Sequence, residues 1–220
     1  ISAVNSATEI ILAYAYDGVT TAGAAYITYN PIKWIGDYSG TNTDSVGGVV
    51  RITGSNDDIT GARANCIVAT SKNYRHFDMI KFDMSTSSPI SMTTCQYWYI
   101  NRCHFGELTT TAANNSTGMI TTSGATLAGT TVNACYFGGG LNTGVVVTHS
   151  STVTGAGVVI QNSIFQGMAT TDGSSQQVSG VTFSKVSGNI VKNNLFMSCG
   201  CCVGVVSALS VGTSNSVVNN

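Results

Sequence analysis

The sequence predicts an all-β chain wound as a right-handed, single-stranded parallel β-helix, a solenoid with about 23–32 residues per coil. Three observations lead there. One phrase returns four times, as "INRCHF" (100–105), "VNACYF" (132–137), "IQNSIF" (160–165) and "VKNNLF" (191–196), always closing on Phe. Its first residues, together with Phe77 of an earlier copy, are spaced by 23, 32, 28 and 31 residues, so the anchor is constant while the connections stretch. Recurrence on that scale is the mark of a solenoid. Finally, only 9% of residues are charged, against about 25% in an ordinary soluble domain. Gly, Ser, Thr, Asn and Val fill the difference, and no helical period is sustained.

The chain reads as one domain over residues 1–220, with an opening or capping region at 1–50 and regular coils from 51 to 220. In the opening region "TEIILAYAYDG" suggests a strand and turn, "PIKWIGDYSG" carries Trp34 and Ile35 between turn residues, and "GGVVRITGS" supplies a strand bearing Arg51. In the regular coils the anchors are Phe77, Ile100, Val132, Ile160 and Val191. The two residues after each anchor are polar and turn-prone, as in Asn101-Arg102, Gln161-Asn162 and Lys192-Asn193, and Asn tolerates the left-handed backbone of a tight bend. Strand alternation then resumes. Positions three and five past the anchor fall on one face, expected inside: Ile80 and Phe82, Cys103 and Phe105, Cys135 and Phe137, Ser163 and Phe165, Asn194 and Phe196. Phe on Phe in successive coils, about 4.8 Å apart, would form an aromatic column. Amides beside the bend can bond to their equivalents one coil away.

A second strand recurs as "GMITT" (118–122), "GVVVT" (144–148), "GVTF" (180–183) and "GVVSA" (204–208), and a third segment leads into each new anchor. Three short strands per turn describe a parallel β-helix; a β-sandwich would show hairpin turns at short spacing instead. At the close, "VVNN" (217–220) restarts the phrase, with Val218 expected in the column of Val191 and no Phe following. The coils are expected to continue beyond this point or to be capped by another chain.

Composition also excludes functions. A net charge of −1 gives nucleic acid no footing. No apolar run approaches the roughly 18 residues of a membrane helix, so membrane insertion is not expected. Seven cysteines, an odd number, argue against a complete disulfide framework. "CGCC" at 199–202 has no His near it and no zinc spacing, so no metal site is expected and the thiols read as small hydrophobes.

The Phe column with its Asn-bearing bend resembles the right-handed parallel β-helix of the pectin-lyase-like superfamily, which includes bacteriophage tailspikes. "PIKWIGDYSG", "GGVVRITGS" and "NYRHFDMIKFD" are similar to the opening coils of members of that group. The likeness covers most of the chain and is architectural, so it implies fold more than chemistry. Polysaccharide cleavage on such a scaffold uses paired carboxylates, or acids holding Ca²⁺ beside a basic residue. Every acid except Asp172 lies at or before Glu107, so one neighbourhood can supply a pair. Aligned coils place Asp78 over Asn101, Lys81 over His104, and Asp83 near Gly106 and Glu107, with Arg75 and Arg102 close by. The candidate catalytic residues are therefore Asp78, Asp83, Glu107, Arg102 and His104, although charges on the outside of a solenoid are commonly just solvated. No cofactor is expected, and Ca²⁺ finds no support in the pattern.

The outward column beside the Phe rings runs Lys81, His104, Tyr136, Ile164, Leu195. Its last three members form an apolar strip expected to be an oligomer interface unless a loop of the same chain covers it. Tailspike-like β-helices stand side by side as trimers, so the resemblance implies a homotrimer. The leading expectation is a structural virion protein, a tail spike, fibre or capsid-attached β-helix, meeting other virion proteins and host-surface polysaccharide. That reading needs no catalysis. A polysaccharide lyase or glycoside hydrolase is the alternative. The third is a secreted bacterial adhesin that binds glycan through Trp34 and exposed tyrosines, Trp98 being expected in the core.

Overall fold

A computed structural model of the chain describes residues 3–6, 9–11, 32–36, 50–54, 64–106, 114–123, 129–138, 142–153, 157–167, 179–206 and 215–220. Among these residues there is no helix, and apart from an antiparallel pair, Ala3–Ser6 with Glu9–Ile11, every strand lies in one of three parallel sheets. The first sheet stacks Ile32–Ile35, Arg75–Asp78, Tyr99–Asn101, Thr131–Asn133, Val159–Gln161, Ile190–Lys192 and Ser216–Val218, which open coils one to seven in that order. The second stacks Val50–Thr53, Ile80–Asp83, His104–Gly106, Tyr136–Gly138, Ile164–Gln166 and Leu195–Met197. The third stacks Ile67–Thr70, Ile90–Thr93, Asn114–Ser123, Asn142–Val153, Ser179–Val186 and Cys201–Val206. The chain visits the sheets in the same order each time, as a parallel β-strand solenoid requires.

The corners explain the repeat. Left-handed residues stand three before each anchor (Tyr74, Tyr97, Gly129, Gly157, Gly188) and two after it (Met79, Arg102, Ala134, Asn162, Asn193, Asn219), and again seven after it at Met84, Gly167 and Ser198. These corners are five residues apart, so the sides of the coil in the first and second sheets are strands of three or four residues, whereas strands of the third sheet run to as many as twelve. Backbone pairing continues through the corner: the amide of Arg102 donates to the Asn133 carbonyl at 3.0 Å, and that of Ala134 to Gln161 at 3.1 Å. The left-handed conformation thus falls on the second residue of the bend. Asn occupies it at 162, 193 and 219, but Arg102 and Ala134 also take it, held there by the paired strands on either side.

The interior matches the expected parity. Phe82, Phe105, Phe137, Phe165 and Phe196 stack with centroids 5.2, 4.9, 4.7 and 4.9 Å apart and planes within 12° of parallel. Parallel rings at this spacing touch by sliding sideways, the offset arrangement the ring quadrupole favours. Trp98 is buried, and its Nε1 donates to the Lys72 carbonyl at 2.6 Å. Phe165 lies so close to Gly144 that a Cβ there would sit 2.6 Å from the ring.

Toward the C-terminal end the interior turns polar without leaving bonds unmade. The Cys135 amide donates to Ser163 Oγ (3.1 Å), Ser163 to Asn194 Oδ1 (2.9 Å) and Asn194 to Asn220 Oδ1 (3.0 Å). A second ladder precedes the anchors, from the Val158 amide to Asn189 Oδ1 (3.0 Å) and from the Asn189 amide to Asn215 Oδ1 (3.2 Å). Each buried side-chain oxygen caps a backbone donor one coil below, which is why amides are tolerated in a core.

Two registers differ from those read in the sequence. Val217, not Val218, pairs with Val191, because Asn215 and Asn220 must meet Asn189 and Asn194. In the third sheet the leading glycines do not all align: Ile120 pairs with Val145, and Gly204 with Thr182. Interior apolar pairing sets that register. Most of the opening region, residues 1–50, lies outside the described residues.

Two substitutions test this packing. Phe137→Ala should cost about 3–5 kcal/mol, read by denaturant unfolding, because both ring neighbours lose a face. Thr122 Oγ1 is buried with no hydrogen-bond partner among the described residues, between Met92 and Val147 in register. Thr122→Val should therefore raise stability by about 1 kcal/mol, and a loss of stability would show that the hydroxyl is bonded.

Candidate functional site

The five candidate catalytic residues do not form one constellation. Asp78 ends a strand of the first sheet, Asp83 ends a strand of the second, and the left-handed Met79 turns the chain between them. His104 stands on the second sheet, paired with Lys81 below and Tyr136 above. Glu107 lies outside the described residues.

Asp78 is buried and accepts from both Arg102 Nε (2.9 Å) and Nη2 (2.5 Å). Asn101, directly above it, adds its amide at 3.0 Å. Burial alone would raise the Asp78 pKa, but the Arg102 fork and charge, the Asn101 amide and His76 outweigh it, and the result lies below the usual value. Above Asp78 the outward amides form the expected ladder: Asn133 Nδ2 donates to Asn101 Oδ1 (2.7 Å), and Gln161 Nε2 and Asn162 Nδ2 donate to Asn133 Oδ1 (3.1 and 2.8 Å). Every donation points down the solenoid toward the carboxylate.

His76 lies two residues before Asp78 on the same outward face, its ring edge-on to Tyr99 at 4.9 Å. Burial lowers its pKa against the pull of Asp78, and Lys33 and Arg102 reinforce the lowering, which favours the neutral imidazole.

Asp83 is fully buried and bonds to Arg51 Nε at 2.7 and 2.8 Å, with Lys81 Nζ at 3.3 Å. Register brings Arg51, Lys81 and His104 into one outward column, so the pair of cations neutralises a carboxylate that would be costly to bury alone. His104 meets Tyr136 edge-on at 4.8 Å. Arg51 was legible as a strand residue, but its bond to Asp83 depends on a coil whose length the sequence does not state.

The other sequence-derived candidates are placed as follows. Trp34 pairs with Phe77 and stacks on it at 4.7 Å, so it belongs to the interior anchor column, although 40% of it is exposed. Ile164 and Leu195 are exposed, whereas Tyr136 is half-buried and donates its hydroxyl to Gln166 Oε1 at 3.0 Å. All seven cysteines are free thiols. Cys95, Cys103 and Cys135 are buried like small hydrophobes, but Cys202 is exposed, contrary to that reading. Burial pushes the Cys66 thiol up to about 11. Among the described residues no group of His, Cys, Asp and Glu is arranged to hold a metal ion.

Chemically, a carboxylate held low by a bidentate arginine carries no proton to donate near neutral pH, so Asp78 is poorly placed as a general acid. The arrangement is suited to positioning polar groups on a rigid face.

The pKa shifts have a stability consequence. Unfolded Asp titrates near 3.9 and unfolded His near 6.5; both are lower in the folded chain, so the unfolded state takes up protons first and stability falls as pH falls. The His76 contribution is full above about pH 6.5 and fades below it, while that of Asp78 is lost only below about pH 4. His76→Gln should flatten the fall of the thermal midpoint that begins below about pH 6.5, and Asp78→Asn should flatten only the limb below about pH 4. Identical profiles for both variants and the parent would contradict the assignment. Compared with known proteins, this chain matches no family model, no curated protein and no solved structure.

Proposed function

We propose that the chain is a structural protein of a virion, a bacteriophage tail spike, fibre or capsid-attached β-helix that wraps right-handed with about 23–32 residues per coil. The right hand follows from the general preference of parallel crossovers. In this reading three copies stand side by side as a homotrimer, in contact with other virion proteins and facing host-surface polysaccharide. The observation that carries it is a pair of apolar side chains exposed in register on the outer face of the second sheet, Ile164 (37%) directly beneath Leu195 (50%). On a surface otherwise rich in Ser, Thr and Asn, such a strip favours association with another copy. The virion context itself rests on the resemblance to tailspike-like β-helices.

A second reading, a polysaccharide lyase or glycoside hydrolase, draws on the meeting of Arg51, Lys81, Asp83 and His104 on the second sheet. Loss of a measured depolymerase activity in His104→Ala, with the fold intact by circular dichroism, would favour it over the structural reading.

Sedimentation of the purified chain tests assembly directly. The parent is expected to run at three times the mass of one chain, and the double variant Ile164→Asp, Leu195→Asp as a folded monomer. A parent that stays monomeric at high concentration would overturn the proposal.

A further inference from the structure

The interior position three residues past each anchor carries Ile80, Cys103, Cys135, Ser163 and Asn194 in consecutive coils. Cys103 and Cys135 follow the left-handed corner residues Arg102 and Ala134, where the first sheet hands over to the second. Each thiol donates back across its bend, Cys103 Sγ to the Asn101 carbonyl and Cys135 Sγ to that of Asn133, both at 3.3 Å. Ser163 makes the same bond with its hydroxyl, to the Gln161 carbonyl at 2.8 Å. Closing the corner therefore needs a small donor, and does not need sulfur.

What sulfur adds is redox chemistry, and here two sulfurs are stacked. The Arg102 amide donates to the Asn133 carbonyl at 3.0 Å and the Tyr136 amide to that of Cys103 at 2.9 Å, so the ladder runs past both cysteines and sets them opposite each other. Parallel neighbours stand about 4.8 Å apart, and a disulfide bridges Cα atoms roughly 4.4–6.8 Å apart. Both cysteines are buried in the same interior, and their thiols hydrogen-bond to each other. That hydrogen bond lowers the Cys103 pKa, while burial raises that of Cys135, so Cys103 supplies the thiolate of the pair. No other two of the seven cysteines occupy equivalent positions in adjacent coils: Cys201 stands over Ser179, the Cys66 amide bonds to Pro89, and Cys95 donates to the Ala69 carbonyl.

We infer that Cys103 and Cys135 are an oxidisable pair that closes to a disulfide between coils three and four when the chain meets a small disulfide oxidant such as oxidised glutathione. The Cys103 thiolate attacks one sulfur of the oxidant and expels the first glutathione thiolate. Cys135 then gives up its proton and attacks the Cys103 sulfur of the mixed disulfide, expelling the second. Two protein thiols are oxidised, one glutathione disulfide is reduced to two thiols, and the two protons end on them. Because both sulfurs are buried, exchange waits on local opening of the corner. Closure ties the chain covalently across the segment from 103 to 135 and so restricts its unfolded state. The two coils are left untied in reducing surroundings and stapled in oxidising ones. The pair does not depend on the virion assignment or on trimer formation, and its residues are distinct from Ile164 and Leu195.

The test is thiol labelling of the purified full chain, equilibrated in reduced or in oxidised glutathione until the labelling is constant, then denatured and alkylated. The reduced chain should label at all seven cysteines. The oxidised chain should lose label at 103 and 135, which peptide mass mapping should recover as one linked species lighter by two hydrogens. Its thermal midpoint should lie above that of the reduced chain. Cys103→Ser and Cys135→Ser keep a donor at the corner, as Ser163 does, and should fold with a midpoint that oxidation does not raise. Cysteines 103 and 135 still labelled after oxidation, either of them trapped as a lasting mixed disulfide with glutathione, or a midpoint that falls on closure would each overturn the proposal. So would a disulfide found only among Cys199, Cys201 and Cys202.

Discussion

Hydrogen bonds between a strand and the equivalent strand one coil away hold this molecule together, and they constrain everything else. In a parallel, in-register stack each residue has its counterpart directly above and below, about 4.8 Å away. Any side chain that suits the interior once is then repeated or matched in the next coil. The Phe rings from 82 to 196 satisfy the constraint by stacking face on face. The corners of the first and second sheets satisfy it by spacing left-handed residues five apart, which keeps those strands short and their inside and outside fixed.

The same constraint makes polar residues acceptable inside. An isolated buried amide would cost several times what it returns, but an amide with a donor below and an acceptor nearby is fully bonded. Asn194 illustrates this: its oxygen receives the Ser163 amide, while its nitrogen donates to the Ile160 carbonyl at 3.1 Å and to Asn220 Oδ1 at 3.0 Å. Thr122 is the contrasting case, a hydroxyl between Met92 and Val147 with no hydrogen-bond partner among the described residues. Along the solenoid the interior passes from aromatic and thiol side chains to amides, and the packing changes from area-driven to hydrogen-bonded without changing the backbone.

With the interior occupied, chemistry is confined to the outside. There the register brings charges together in pairs that neutralise each other, Asp78 with Arg102 and Asp83 with Arg51 and Lys81. Rigid, neutral, repetitive surfaces are suited to association and recognition, which need complementary shape and fixed hydrogen bonds. Acid–base turnover needs groups poised to exchange protons, and a carboxylate locked in a bidentate ion pair is not so poised.

The recurring hydrophobic and aromatic anchors were sufficient to determine the strands, the parity of the interior and the pairing of Asp78 with Asn101 and Lys81 with His104, because each depends on local spacing from a visible landmark. The same landmarks could have corrected the last coil: "NIVKNN" and "NSVVNN" share both flanking asparagines and the central Val, which puts Val217 rather than Val218 over Val191. What tertiary structure alone decided was anything separated by a connection of unknown length. Arg51 reaches Asp83 across 32 residues, Tyr99 leans onto Asn133 across 34, and Trp34 joins the anchor column over the long first coil. Local periodicity tells a residue which way it faces; only the closing of each coil tells it which residue it meets.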